Sequence, residues 1–201
     1  MKLIGLYDSP FVRRVAISLK VQGFAYEHVP LSVFRNYEDF KAYNPLVKAP
    51  TLMLSDGQVI TESDYILDYL DERVPERRLV PASGPARMAA LQTIATAIVA
   101  AEKSVALVYE TQLRPKQLHH QPLIDRFTGQ LNAAIDLLES KFPGGAMTSA
   151  HLDQAAITSA VAYRFISHHQ PDCLLHGKHP RLAALSSQCE QLPAFLAVPF
   201  M

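Results

Sequence analysis

The apolar residues change their period once along the chain, and that change bounds the folds open to it. Up to about residue 73, short extended or alternating runs are separated by helical stretches; beyond Pro85 only helical spacing remains. Between them, Arg73 to Pro85 carries Pro75, Pro81, Gly84 and Pro85 and reads as a linker. A chain of 201 residues divided in this way is expected to form a small α/β domain over 1–77 and an all-α helical bundle over 86–201.

Within the first part, Lys2 to Tyr7 is a short apolar run and predicts a buried strand. From Val12 the apolar positions Val15, Ala16 and Leu19 take helical spacing, so Tyr7-Asp8-Ser9-Pro10-Phe11 is a strand-to-helix elbow. Ser9 falls at the N-cap, Pro10 suits the first turn because its missing N–H has no intrahelical partner there, and Gly23 closes a helix over 10–22. Ala25 to Val29 predicts a second strand, followed by a polar connection through Phe34 and Tyr37. In Asn44-Pro45-Leu46-Val47-Lys48-Ala49-Pro50-Thr51 two prolines bracket an extended segment from which a third strand leaves, and the turn Ser55-Asp56-Gly57 returns it as Val59-Ile60. A helix then starts at Thr61-Glu62-Ser63-Asp64, where Thr61 and Asp64 stand at capping-box spacing.

In the second part, Met88, Leu91, Ala95, Ile98, Val105 and Val108 mark a long helix broken near Arg114-Pro115. Leu123 to Leu138, Leu152 to Tyr163, and Leu182 with Leu185 mark three more.

Lys plus Arg and Asp plus Glu number 19 each, so no strong field draws nucleic acid or an acidic membrane. The most apolar stretch, Ala89 to Val108, is interrupted by Gln92, Thr93, Glu102 and Lys103, which argues against a membrane span. The N-terminus meets charge and proline too soon for a secretion signal, so a cytoplasmic location is expected. Cys173 and Cys189 are the only cysteines and read as buried free thiols. His168-His169 and Cys173-Leu174-Leu175-His176 lie close in sequence, but their spacing fits no common zinc pattern, and no metal is expected.

The Ser-Pro elbow, the extended segment ending in Ala49-Pro50, the Glu62-Ser63 helix start and the appended helices together make a chain that resembles the cytosolic glutathione transferases, of a serine-type, bacterial-like kind. The resemblance implies an α/β thioredoxin-like N-terminal domain, a homodimer, and glutathione as co-substrate. It further implies attack of the glutathione thiolate on a hydrophobic electrophile, a detoxification chemistry.

By this resemblance Ser9 is the hydroxyl that stabilises the thiolate. Phe11, Lys48, Ala49, Pro50, Glu62 and Ser63 are implied to bind glutathione: a cis Pro50 presents the Ala49 backbone to the cysteinyl part, Lys48 meets the glycyl carboxylate, and Glu62 with Ser63 holds the γ-glutamyl end. A helix N-terminus suits that carboxylate, because its free N–H groups and dipole favour an anion. Tyr7 is the competing thiol partner, set aside because it ends the strand one residue too early relative to Pro10. Arg13 and Arg14 read as surface or interdomain ion-pair formers. The hydrophobic substrate is expected against the helical domain, around Tyr109, Leu113 and Phe127.

A glutaredoxin-like enzyme needs a thiol at Ser9 and usually another at Val12, and neither is present. The alternative is a non-catalytic binding or regulatory protein that keeps the fold. Ser9, Glu62 and Ser63 standing together favour the enzyme.

Overall fold

The computed structural model describes residues 1–174 and 177–200. Two compact units account for them, Met1–Ala82 joined by the chain from Gln191, and Ser83–Glu190.

The first unit holds strands β1 (Lys2–Ile4), β2 (Glu27–Val29), β3 (Thr51–Met53) and β4 (Val59–Thr61), with helices α1 (Pro10–Val21), α2 (Tyr37–Tyr43) and α3 (Ser63–Arg73). The sheet order is β2-β1-β3-β4, with β1 and β2 parallel and the other two pairings antiparallel. Leu3 faces His28 on one side and Leu52 on the other, which sets the register of the central strand. Leu3, Ile4 and Leu52 are inaccessible to solvent, as are Val15, Ala16 and Leu19 of α1 and Ile66 and Leu70 of α3. These positions are the periodic apolar residues of the sequence, and their burial is the main stabilisation of the unit.

Strand β1 is shorter than predicted: it stops at Ile4, because Gly5 leaves the extended region with φ +136°. The Phe34–Tyr37 connection, read as irregular, contains α2. Glu38 and Asp39 in its first turn were the available signal, and fully buried Phe40 anchors it.

The second unit is built from α4 (Gly84–Val108), α5 (Gln121–Lys141), α6 (Gln154–His169) and α7 (Pro180–Cys189). Helix α4 runs on through one wider, π-type turn, Tyr109–Leu113, and ends before Pro115. By length and composition alone, Gly84–Leu113 is apolar enough to span a membrane. Its Ala97, Ala100, Ala101 and Ser104 are buried, and α4 packs on both α5 and α6, as the core helix of a bundle does. Asp153 is the N-cap of α6, accepting from the Ala156 N–H at 2.8 Å.

After α7 the chain returns to the first unit, where the short helix α8 (Pro193–Leu196) lies against α1. Arg13 is buried there, its Nε donating to the Val198 carbonyl at 2.9 Å and its guanidinium lying over the rings of Phe195 and Phe200. Arg13, expected to be a surface or interdomain ion-pair former, is instead buried within the first unit. A guanidinium tolerates such burial where a carbonyl and aromatic faces replace its water.

Candidate functional site

Ser9 opens α1 with extended backbone, and its Oγ accepts from the Val12 N–H at 3.4 Å. That bond is longer than a good N–H···O contact. Among the described residues no acceptor is recorded for the Ser9 hydrogen, so the hydroxyl keeps its donor free beside the positive end of the helix. Phe11 follows in the first turn, half-buried. Tyr7 is engaged elsewhere: its ring stacks on His28 at 3.8 Å and its hydroxyl meets that of Tyr26 at 2.9 Å. Burial pushes the Tyr7 hydroxyl above the usual phenol value, with the Tyr26 bond opposing, so it stays protonated at neutral pH.

The Ala49–Pro50 peptide is cis, and Pro50 is buried. Buried Asn44, a residue the sequence reading passed over, fixes this loop by donating to Thr51 Oγ1 and Thr61 Oγ1, both at 2.8 Å, and accepting from the Leu46 N–H. Thr51 in turn donates to the Lys48 carbonyl at 2.7 Å. One amide thus ties the start of β3 to the end of β4 and holds Lys48 and Glu62 on neighbouring strand ends. Gly5 completes the support. A Cβ there would lie 2.6 Å from Val12 Cγ2 and 3.2 Å from Ala49 Cβ, so only glycine lets the loop close on the start of α1.

Glu62 occupies the N-cap position of α3 with φ +71°, and its side chain caps nothing. The predicted Thr61–Asp64 capping box does not form, because Thr61 serves Asn44 and Asp64 pairs with Arg14. Glu62 Oε1 instead meets Lys48 Nζ at 3.3 Å on the surface. Val47, one residue before Lys48, also has positive φ, at +46°. Two non-glycine residues in that region beside one loop pair mark a backbone held by its surroundings, as functional sites often are.

Ser63, the first residue of α3, is buried, and its Oγ accepts from Arg14 Nη1 at 3.2 Å. The same nitrogen donates to Asp64 Oδ1 at 3.0 Å. Arg14, read from sequence as a surface or interdomain residue, is 2% exposed and lies inside the first unit. Burial pulls its guanidinium below the usual value and Asp64 pushes it back up, and an arginine so placed remains a cation. Its Nε is buried with no hydrogen-bond partner among the described residues.

These contacts close a ring within the first unit. Ser9 and Val12 start α1; Gly5 brings Ala49 to them; Lys48 reaches Glu62; Ser63 returns through Arg14 to α1. Of the sequence-nominated residues, Ser9, Lys48, Ala49, Pro50, Glu62 and Ser63 stand on this ring, and Phe11 is on its helix. In the second unit Tyr109 and Leu113 are exposed at the end of α4, while the Phe127 ring lies under Lys103 Nζ at 5.6 Å. No cluster of three metal-ligating side chains occurs among the described residues, and His176 lies outside them.

The chain as a whole has counterparts among known proteins. Residues 3–78 match the family model described as "Glutathione S-transferase, N-terminal domain". A glutathione transferase family member from Pseudomonas fluorescens Pf-5, solved with bound S-(propanoic acid)-glutathione, is 33% identical over 98% of both chains, with a TM-score of 0.81. A structure from the same organism with bound glutathione is 31% identical over 98% of this chain and 97% of that one, TM-score 0.84. The GST-like protein YibF of Escherichia coli (strain K12) is 26% identical over 169 residues, 83% of this chain and 82% of that one. With a thioredoxin-like sheet unit, an all-helical unit and a third of its residues shared end to end with a solved member, the chain belongs to the glutathione transferase family.

Proposed function

We propose that this chain is a glutathione transferase in which the glutathione thiolate, stabilised by Ser9, attacks an electrophilic carbon of a hydrophobic substrate. The observation that carries the reading is the free donor of Ser9 at the α1 N-terminus, next to a cis Ala49–Pro50 loop and an uncapped α3. Glutathione presents a thiol, two carboxylates and an ammonium, and the ring offers a partner to each. Lys48 suits the glycyl carboxylate, the Ala49 backbone the cysteinyl amide, the Glu62 carboxylate the ammonium, and Ser63 with the first N–H groups of α3 the remaining carboxylate. Lys48 and Glu62 now pair with each other on the surface, an interaction worth about 0–1 kcal/mol. A zwitterionic ligand replaces it at small cost.

Ionisation is only part of the chemistry. A thiol of pKa about 8.5 is roughly 3% ionised at neutral pH, and lowering it by about two units requires about 2.7 kcal/mol of differential stabilisation. The ionised fraction rises about 25-fold. A Brønsted slope near 0.45 returns about eightfold of that, because a less basic thiolate is a weaker nucleophile. The net gain is about threefold, so most of the acceleration comes from holding the reactants together.

The test is calorimetric titration of glutathione into the wild type, Ser63→Ala and Ser9→Ala. Saturable binding is expected, weakened at least about fivefold by Ser63→Ala. Ser9→Ala is expected to keep binding but to lose the thiolate absorbance of the bound ligand. Absence of wild-type binding up to about 10 mM, weaker than roughly −2.7 kcal/mol, overturns the reading.

A further inference from the structure

Three acidic or hydroxyl side chains crowd the start of α3: Glu62, Ser63 and Asp64. Two carboxylates on either side of Ser63 oppose the seating of a third, whatever the helix dipole favours, since like charges at such range repel. Each of the two has a cation set against it. Lys48 meets Glu62 from the surface, where both side chains are about half exposed. Arg14 meets Asp64 from beneath, with 3% of its side chain exposed against 57% for Asp64.

The second pair differs from the first in two ways. The Arg14 charge is desolvated and fixed on α1, so solvent screens it less than it screens Lys48. Its Nη1 also donates to Ser63 Oγ. A hydroxyl that accepts from a guanidinium turns its own hydrogen away from that donor, because Arg has no lone pair to receive it. The Ser63 hydrogen is thereby left to donate away from Arg14, the role a carboxylate ligand needs. Holding a guanidinium in this position is costly: its Nε is buried and unpartnered, a group whose desolvation is uncompensated. A residue needed only to fill space there would be apolar.

We propose that Arg14 is a positioning residue that makes the α3 N-terminus receptive to a carboxylate, by neutralising Asp64 and by orienting the Ser63 hydroxyl as a donor. The proposal deepens the glutathione reading and rests on it, the carboxylate being that of the γ-glutamyl group. Arg14 touches no ligand in this arrangement and acts through its two neighbours.

The test is a double-mutant cycle on glutathione affinity, using Arg14→Met, Asp64→Asn and the pair, with folding of each checked by circular dichroism. Arg14→Met alone is expected to weaken binding at least about tenfold, because it exposes the ligand carboxylate to an unpaired Asp64. In the Asp64→Asn background the same change is expected to cost less than about threefold. A structural role alone predicts equal losses in both backgrounds, and that result overturns the proposal. Asp64→Asn by itself decides the matter if Arg14→Met does not fold: affinity is expected to rise about two- to fivefold, the worth of one charge at a helix N-terminus, and a fall overturns it. Wild-type protein that binds no glutathione defeats the glutathione reading itself, whereas wild-type binding without coupling between positions 14 and 64 defeats this proposal alone.

Discussion

Single residues that bind nothing hold the site's shape, and their substitutions separate shape from chemistry. Gly5→Ala places a methyl 2.6 Å from Val12 Cγ2 in a backbone conformation of φ +136°. Urea unfolding is expected to show a loss of roughly 2–4 kcal/mol, combining overpacking with backbone strain. Asn44→Ala removes three hydrogen bonds at a buried position and leaves the Leu46 N–H without its acceptor. A cost of about 2–3 kcal/mol is expected. Glutathione affinity should fall with it, since Lys48 and Glu62 lose their common anchor, and calorimetry on the folded variant checks this. Cys189 is inert by comparison: burial, with Glu190 and Asp153 adding to it, pushes its thiol up to about 12. Alkylation of the native protein is expected to spare it.

At the scale of elements, the helices of the second unit are joined by caps that cross between them. Asp153 begins α6 in its own right, and Asp153→Ala is expected to lower stability by about 1 kcal/mol in denaturant unfolding. Glu139 of α5 accepts from the Arg181 and Leu182 N–H groups and so caps α7 from another helix. Asp136, one turn earlier, receives His179 Nε2 at 2.8 Å and Lys178 Nζ at 3.0 Å. The His179 bond, then the Lys178 bond, hold its carboxyl below the usual value. A carboxylate depressed in the folded state contributes stability that is present above its unfolded pKa and lost as pH falls through the folded one. The urea midpoint of the wild type is therefore expected to drop more steeply below about pH 4 than that of Asp136→Asn. Equal slopes would assign the acid sensitivity to other carboxylates, among them Glu110, which the His120 N–H depresses.

For the molecule as a whole, helix α4 leaves Met88, Leu91 and Val99 exposed on one face. We expect this face to join two copies, so Leu91→Glu with Val99→Glu should move sedimentation from dimer to monomer, and a monomeric wild type would refute that expectation. The sequence by itself determined the division into a sheet unit and a helical unit, because apolar period is a local property that survives in the linear chain. Through the family resemblance it also marked Ser9, the Ala49-Pro50 pair and Glu62-Ser63. Only the tertiary structure decided that Arg13 and Arg14 are buried, since a charge followed by apolar residues reads as surface until its partners, Val198 and Asp64, arrive from far along the chain. The same holds for Gly5, Asn44 and the return of the chain beyond Gln191 to the first unit. Each depends at least in part on a contact across the folded chain, Gly5 with Ala49 and Asn44 with Thr61, and no local pattern of residue types encodes which such atom will close the gap.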